Sequence, residues 1–225
     1  MRGTIRLLVG MSLAFGLSYP WLWDHLPTAA TAIVMKGAGV GLLALAAGWR
    51  ARDADGRLLA GVMALGAIGD VLLEISLAAG AAAFAAGHAV AIFLYRRNRR
   101  APADRKDRAI AALIPIAAAV VPFILLQGRA EALPFTAYAL LLGAMASSAW
   151  LSRFPRGLVA MGALLFLASD MLIALRMASG SAGLGVPIWL LYYVGQLLIF
   201  VGVSSFLPPR GRSPGGGGPA KVVEG

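Results

Sequence analysis

The chain has 225 residues, 60% of them hydrophobic and 13% charged, and a mean hydropathy of +0.80. Soluble domains carry about 25% charged residues, and a soluble core of this length cannot hide so much apolar surface, so the composition calls for a bilayer as solvent. The absence of cysteine excludes disulfides, thiolate metal sites and cysteine nucleophiles. The net charge of +10, carried in short loops between apolar runs, reads as loop charge beside a membrane rather than as affinity for nucleic acid.

A membrane span needs about 20 apolar residues, and eight such runs follow one another at 5–23, 28–49, 57–77, 81–95, 109–127, 132–151, 157–177 and 185–207. The first begins like a signal peptide, Met1-Arg2 and then apolar residues from Leu7 to Leu17. It runs on into Tyr19-Pro20-Trp21-Leu22-Trp23 with no small-x-small cleavage site, so it is read as a retained span. The third and fourth spans are expected to turn tightly near Ala79-Gly80. Pro115 and Pro122 fall inside the fifth and should kink it. The fold class is therefore an all-α, polytopic transmembrane helical bundle of eight spans occupying residues 1–207. Residues 208–225, with Pro214-Gly-Gly-Gly-Gly-Pro219, are expected to form a disordered cytoplasmic tail.

Charge gives an independent test. With eight spans, one side of the membrane collects Arg2, Arg6, Arg50, Arg52, Arg57, the cluster from Arg96 to Arg108, Arg153, Arg156, Arg210, Arg212 and Lys221. The other collects only Arg129 and Arg176. The basic side is cytoplasmic by the positive-inside rule, which puts both termini in the cytoplasm and the protein in the plasma membrane, the inner membrane of a bacterium. Tyr19, Trp21, Trp23 and Trp189 at outer ends, with Trp49, Tyr95 and Trp150 at inner ends, are expected to form an interfacial belt.

Ionisable residues inside spans are costly and mark functional sites. Here they are Lys36, Asp70, Glu74, His88 and Asp170, joined by the neutral polar residues Tyr192, Tyr193 and Gln196. At about 1.5 Å of rise per residue, Lys36, Asp70, His88, Asp170, Tyr193 and Gln196 all fall about 10–16 Å below the outer boundary. Five helices thus present polar groups in one layer. Glu74, one turn beyond Asp70 on the same face, is expected to snorkel to the interface, the alternative being a place at the mouth of the same cavity. Two buried acids sharing one lysine divide into an ionised and a protonated partner. The blander reading pairs Lys36 with one aspartate and leaves the remaining polar groups to satisfy one another.

A short echo relates residues 65–73 to residues 165–173 around Asp70 and Asp170, and suggests a 4+4 internal repeat. No Gly-x-Ser-x-Gly elbow or phosphate loop occurs. With only His25 and His88 a three-histidine zinc site is impossible. An enzyme built from these residues works with carboxylates. The competing class is a small-solute or proton-coupled transporter, with Gly37, Gly39 and Gly41 as a mild hint of a broken helix that reads equally as close helix packing.

In order along the chain, Lys36, Gly69-Asp70-Val71-Leu72-Leu73, Gly87-His88, Ser169-Asp170 and Tyr192-Tyr193-x-x-Gln196-Leu197-x-Ile199 resemble the YhhN-type lysoplasmalogenase family of membrane proteins. Gly37 stands where that family usually has proline after the lysine, and Ala89-Val90-Ala91 replaces an aromatic after the Gly-His pair. The resemblance implies a membrane hydrolase that cleaves the vinyl-ether bond of a lysophospholipid substrate, a lysoplasmalogen, to a fatty aldehyde and a glycerophospho-headgroup. It requires no metal or organic cofactor. Asp70 and Asp170 take the acid and base roles, Lys36 holds one aspartate ionised or contacts the lipid phosphate, and His88, Tyr192, Tyr193 and Gln196 orient water and headgroup.

Overall fold

In hydrocarbon every backbone N–H and C=O must find a partner within the protein, and a run of apolar residues does so by closing into a helix. In a computed structural model that describes residues 2–101 and 103–207, each of the eight apolar runs is such a helix. They are α1 (Arg2–Leu22), α2 (Ala29–Arg50), α3 (Ala54–Leu73), α4 (Leu77–Arg97), α5 (Arg105–Leu125), α6 (Ala132–Trp150), α7 (Met161–Ser179) and α8 (Gly185–Phe206). A π-helical turn, Arg156–Ala160, leads into α7. All eight are long and apolar enough to cross a membrane, and the protein is a multi-pass helical membrane bundle. The tail expected over 208–225 lies outside the described residues.

Polar residues start the helices where the chain leaves the apolar phase. Thr28, Asp53, Ser76 and Asp104 each accept a hydrogen bond from the backbone N–H three residues on, filling one of the donors a helix start leaves open. Ser76 corrects the expected turn between the third and fourth spans. The chain reverses at 74–76, not near Ala79-Gly80, because Ser76 caps α4 from there. Gly80 lies a turn inside α4, packed so closely on Leu73 that a Cβ would clash with it.

Successive helices pack as antiparallel neighbours from α1 to α4, and again as the pairs α5–α6 and α7–α8. Helix α8 runs through the middle, touching α1, α2, α3 and α7. Helix α5 stands at the rim and turns Leu113, Ile116, Phe123 and Ile124 outward, running unbroken through Pro115 and Pro122. The belt needs correcting in part. Trp21 and Trp49 are exposed, but Tyr19, Tyr95 and Trp189 are buried at 6%, 1% and 4% exposure and belong to the interior.

Small residues let the central helices meet backbone to backbone. A Cβ on Gly162 of α7 would lie 2.6 Å from the Gly195 carbonyl of α8, and one on Gly195 would lie 2.7 Å from the Gly162 carbonyl. The glycines of α2 serve packing too: the helix is continuous through all three, Gly37 faces Val71, Gly39 faces Gly16 and Gly41 faces Ala67. They do not break the helix.

The basic end is locked by its own polar network. Arg153 donates from Nε and Nη2 to Asn98 Oδ1 at 3.0 and 2.7 Å. Asn98 Nδ2 and Arg97 Nε each donate to Asp55 at 2.9 Å. Arg156 pairs with Asp107. These contacts hold α3, α4 and the loop before α7 together at the end of the bundle away from the polar layer.

Gly162→Ala and Gly195→Ala should each destabilise the protein by about 1–3 kcal/mol through overpacking. Gly183→Ala, where an added Cβ meets nothing within 4 Å, should leave stability unchanged. Thermal unfolding in detergent measures all three.

Candidate active site

The polar layer surrounds a cavity of about 840 Å³ at the weakly charged end of the bundle, within the range of pockets that enclose a small organic ligand. Every helix except α5 contributes to its wall. Its interior mixes polar groups with Leu73, Leu77, Phe135, Ile173 and Met177, so it offers both a charged lining and an apolar slot.

Asp70 on α3 and Asp170 on α7 both open onto this cavity and are otherwise buried, at 2% and 5% exposure. A carboxyl removed from water needs a hydrogen-bonding partner, and each has a tyrosine hydroxyl. Tyr192 of α8 donates to Asp70 Oδ2 at 2.7 Å, and Tyr138 of α6 donates to Asp170 Oδ2 at 2.8 Å. The other oxygen of each carboxyl remains open to the cavity, since neither is among the sealed, unpartnered polar atoms.

Each tyrosine is backed by a further polar group. Gln196 Nε2, one helical turn along from Tyr192, lies 3.5 Å from its hydroxyl. His88 Nε2 lies 3.1 Å from the Tyr138 hydroxyl. Because that hydroxyl spends its proton on Asp170, the fitting tautomer of His88 carries its proton on Nε2 and donates it to the tyrosine oxygen. Phe166 stands between the two branches, its ring centroid 5.1 Å from His88 and 5.0 Å from Tyr192, edge-on to both. Ser169, beside Asp170, donates to the Ile188 carbonyl at 2.8 Å and fastens α7 to α8 at the same depth.

Lys36 and Glu74 form an ion pair at 2.5 Å on the cavity wall. This corrects two expectations. Glu74 does not snorkel away by itself but turns to the lysine across the gap between α2 and α3. Lys36 makes its contact with Glu74 and not with an aspartate, although Asp70 remains within its electrostatic reach. The lysine side chain is 14% exposed and the glutamate 39%, so the pair runs from the wall to the mouth.

Tyr193 also departs from expectation. It does not line the cavity. It turns to α1, where its hydroxyl lies 2.9 Å from Ser12 Oγ and its ring packs on Gly16. Successive helical residues point about 100° apart, so Tyr192 and Tyr193 cannot share a face. Of the eight polar side chains singled out, Lys36, Asp70, Glu74, Asp170 and Tyr192 line the cavity. His88 and Gln196 stand behind the tyrosines, and Tyr193 lies outside.

The chain's own pattern understated Tyr138, Phe166 and the aromatic group of Tyr19, Trp23 and Trp189, which lines the cavity on the α1 side. Tyr138 carried a usable signal. It lies about 9 Å along α6 from its start, at the outer edge of the layer the other polar groups share. The 65–73 and 165–173 echo does not extend to partners: Asp70 is held from α8 and Asp170 from α6, so the two bonds are not copies under a 4+4 exchange.

A polytopic helical membrane protein with two buried carboxyls opening on one cavity is the class this arrangement defines. The chain belongs to the YhhN family, whose sequence model matches residues 31–203. Proteins named lysoplasmalogenase from Mycobacterium bovis and Mycobacterium tuberculosis are each 33% identical to it over 171 residues, covering 72% of this chain and 66% of theirs. The match thus spans just under two thirds of those relatives' length. No solved structure matches the chain significantly. Asp70, Asp170 and all of their partners named above fall inside the family match, whereas Tyr19 and Trp23 precede it.

Ser12→Ala and Tyr193→Phe should each cost about 0.5–1.5 kcal/mol of stability. The double variant should cost less than the sum, because both remove one shared hydrogen bond. A double-mutant cycle by thermal unfolding measures the coupling.

Proposed function

We propose that this protein is a membrane hydrolase that cleaves the vinyl-ether bond of lysoplasmalogens by paired-aspartate acid/base catalysis. The observation that carries the reading is a lipid-sized cavity at membrane depth with Asp70 and Asp170 both opening onto it. The names of its relatives from two mycobacteria point to the same substrate class. In this reading the protein sits in the plasma membrane, the inner membrane of a bacterium, with both termini in the cytoplasm and the cavity at the opposite face.

The reaction needs two proton-handling groups. One carboxyl delivers its proton to the β-carbon of the enol ether, and positive charge develops on the ether oxygen and its attached carbon. Water adds to that carbon while the second carboxylate takes its proton, giving a hemiacetal. The first carboxylate then removes the hemiacetal hydroxyl proton, the second returns its proton to the glycerol oxygen, and the C–O bond breaks. A fatty aldehyde and a glycerophospho-headgroup leave, and both aspartates regain their starting states. Glycosidases meet a related oxocarbenium problem with two carboxyls; the parallel is one of chemistry alone.

The partners have distinct tasks. The Tyr138 and Tyr192 hydroxyls fix each carboxyl at Oδ2 and leave the other oxygen for substrate and water. His88 and Gln196 fix the tyrosines in turn. Lys36 supplies positive potential beside Asp70. Every one of these tasks falls to side chains, and the chemistry asks for no redox or group-carrying cofactor.

Purified protein incubated with a lysolipid panel should release aldehyde from the vinyl-ether members and leave alkyl-ether and acyl forms intact, as read by mass spectrometry. Asp70→Asn and Asp170→Asn should each lower turnover by about 10²–10⁴-fold. Normal turnover in both variants would overturn the assignment. Tyr138→Phe and Tyr192→Phe keep the carboxyls but free their orientation, and should lower turnover by about tenfold to a hundredfold.

A further inference from the structure

Behind the two tyrosines lies a second, smaller cavity of about 10 Å³, the space of a single water. Among the described residues three polar side chains line it, His88 and Tyr95 of α4 and Gln196 of α8, and the rest of its wall is apolar. His88 and Tyr95 are seven residues apart, two turns along one face of α4. A helical side chain leans toward the N-terminus of its helix, so Tyr95 reaches back toward His88. Gly66 of α3 leaves the room that Gln196 fills, since a Cβ there would lie 2.7 Å from Gln196 Nε2. Gln196 Oε1 and the Tyr95 hydroxyl are buried and meet no hydrogen-bonding partner among the described residues. A buried polar atom in that position is costly, and ordered water commonly supplies the partner.

The donors and acceptors around this cavity fix one another. The Tyr192 hydroxyl donates to Asp70, so its oxygen accepts from behind, and Gln196 meets it with Nε2. That turns Oε1, an acceptor, away from Tyr192. His88 donates from Nε2 to Tyr138 in the same way, which leaves Nδ1 as an acceptor. The Tyr95 hydroxyl brings a donor. Two acceptors and one donor are the complement of one water, with its two protons and a lone pair, and about three bonds is what a buried water makes. The Tyr95 proton alone serves one acceptor and not both.

We propose that one water occupies this cavity, accepting from the Tyr95 hydroxyl and donating to Gln196 Oε1 and His88 Nδ1, and that it fixes the donor direction of both branches. The water is their common origin. From it run Gln196, Tyr192 and Asp70 on one side and His88, Tyr138 and Asp170 on the other, and every hydrogen bond points toward an aspartate. Each Oδ2 is therefore an acceptor whatever the charge of its carboxyl. A proton carried by either acid sits on Oδ1, the oxygen open to the larger cavity. Without the water the Gln196 amide can turn Oε1 to Tyr192. The tyrosine then donates to Gln196, and a protonated Asp70 gives its own proton to the tyrosine oxygen, away from the cavity. The inference rests on the hydrolase reading above and adds where the acid's proton stands before transfer. Tyr95, Gln196 and His88 act through other groups and are positioning residues.

Histidine nitrogen NMR of the full chain in lipid bilayers tests the site. The chain has two histidines, and His25→Asn, in the exposed turn after α1, removes the other signal. His88 should show a protonated Nε2 and a bare Nδ1 with a cross-peak to a buried water. Tyr95→Phe removes the donor to that water. It should shift the Nδ1 signal, weaken the cross-peak and lower kcat on a vinyl-ether lysolipid by about threefold to tenfold with KM unchanged. The spectrum without the Tyr95 substitution decides the case if Tyr95→Phe does not fold. A proton on His88 Nδ1, or a bare Nδ1 with no water cross-peak, would overturn the site. So would an unchanged Nδ1 signal and kcat in folded Tyr95→Phe. The water signature in a protein that cleaves no vinyl ether would keep the site and remove the hydrolase reading. Cleavage by a protein with its proton on His88 Nδ1 would keep the hydrolase and remove the site.

Discussion

Two carboxyls have been taken out of water, and each is held by a tyrosine hydroxyl. An unpartnered carboxyl in a low-dielectric interior is among the most expensive groups a membrane protein can carry, so the positions of Tyr138 and Tyr192 are demands of the structure before they are features of a site. The demand fixes helix neighbours. Asp70 binds α3 to α8, and Asp170 binds α7 to α6. The bundle needs α8 pressed into the middle for the first of these, and the Gly162–Gly195 crossing is what lets it sit there against α7. Polar satisfaction and backbone approach are one problem solved at one depth.

The two ends of the bundle solve their charge problems separately. At the basic end, Asp55, Asn98 and Arg153 form a closed set that ties the loops and faces away from the cavity. At the other end, charges are placed around an opening. Between them lies an interior of apolar side chains, including Leu43, Met63, Leu142 and Met145. The protein is therefore polarised along its axis, with a lock at one end and a vestibule at the other, and the aspartates sit where vestibule becomes core.

Much of this was legible in the chain because a membrane reduces the choices. Span number followed from apolar length, and the polar layer from shared depth. What failed did so for identifiable physical reasons. Depth is a coordinate along the helix axis and says nothing of direction around it. Tyr192 and Tyr193 share a depth, yet one faces Asp70 and the other Ser12. The pair read correctly as sharing a face, Asp70 with Glu74, is four residues apart, where axis and azimuth agree, and Tyr192 and Gln196 meet at the same spacing. The partner of Lys36 was misjudged because depth alone ranks an aspartate and a glutamate one turn apart almost equally. The contact itself decides for Glu74. Tyr138 escaped because a tyrosine in a span reads as apolar filling until a carboxyl is found opposite its hydroxyl.

The separation of duties along the axis has a consequence for how such a site tolerates change. Charges near water are screened, and contacts among them are weak and exchangeable. The same charges a turn or two deeper interact strongly and are fixed by hydrogen bonds. Glu74 is 39% exposed on its side chain while Asp70 is 2% exposed as a residue, although a single helical turn separates them. Ligand contacts can thus be rearranged at the mouth without disturbing the carboxyls, whose geometry is held from behind by tyrosine, histidine and glutamine. The carboxyls at the floor of the cavity and their partners come from α3, α4, α6, α7 and α8, and the family match at 31–203 takes in the first four of these helices and all of α8 but its last three residues, leaving α1 outside.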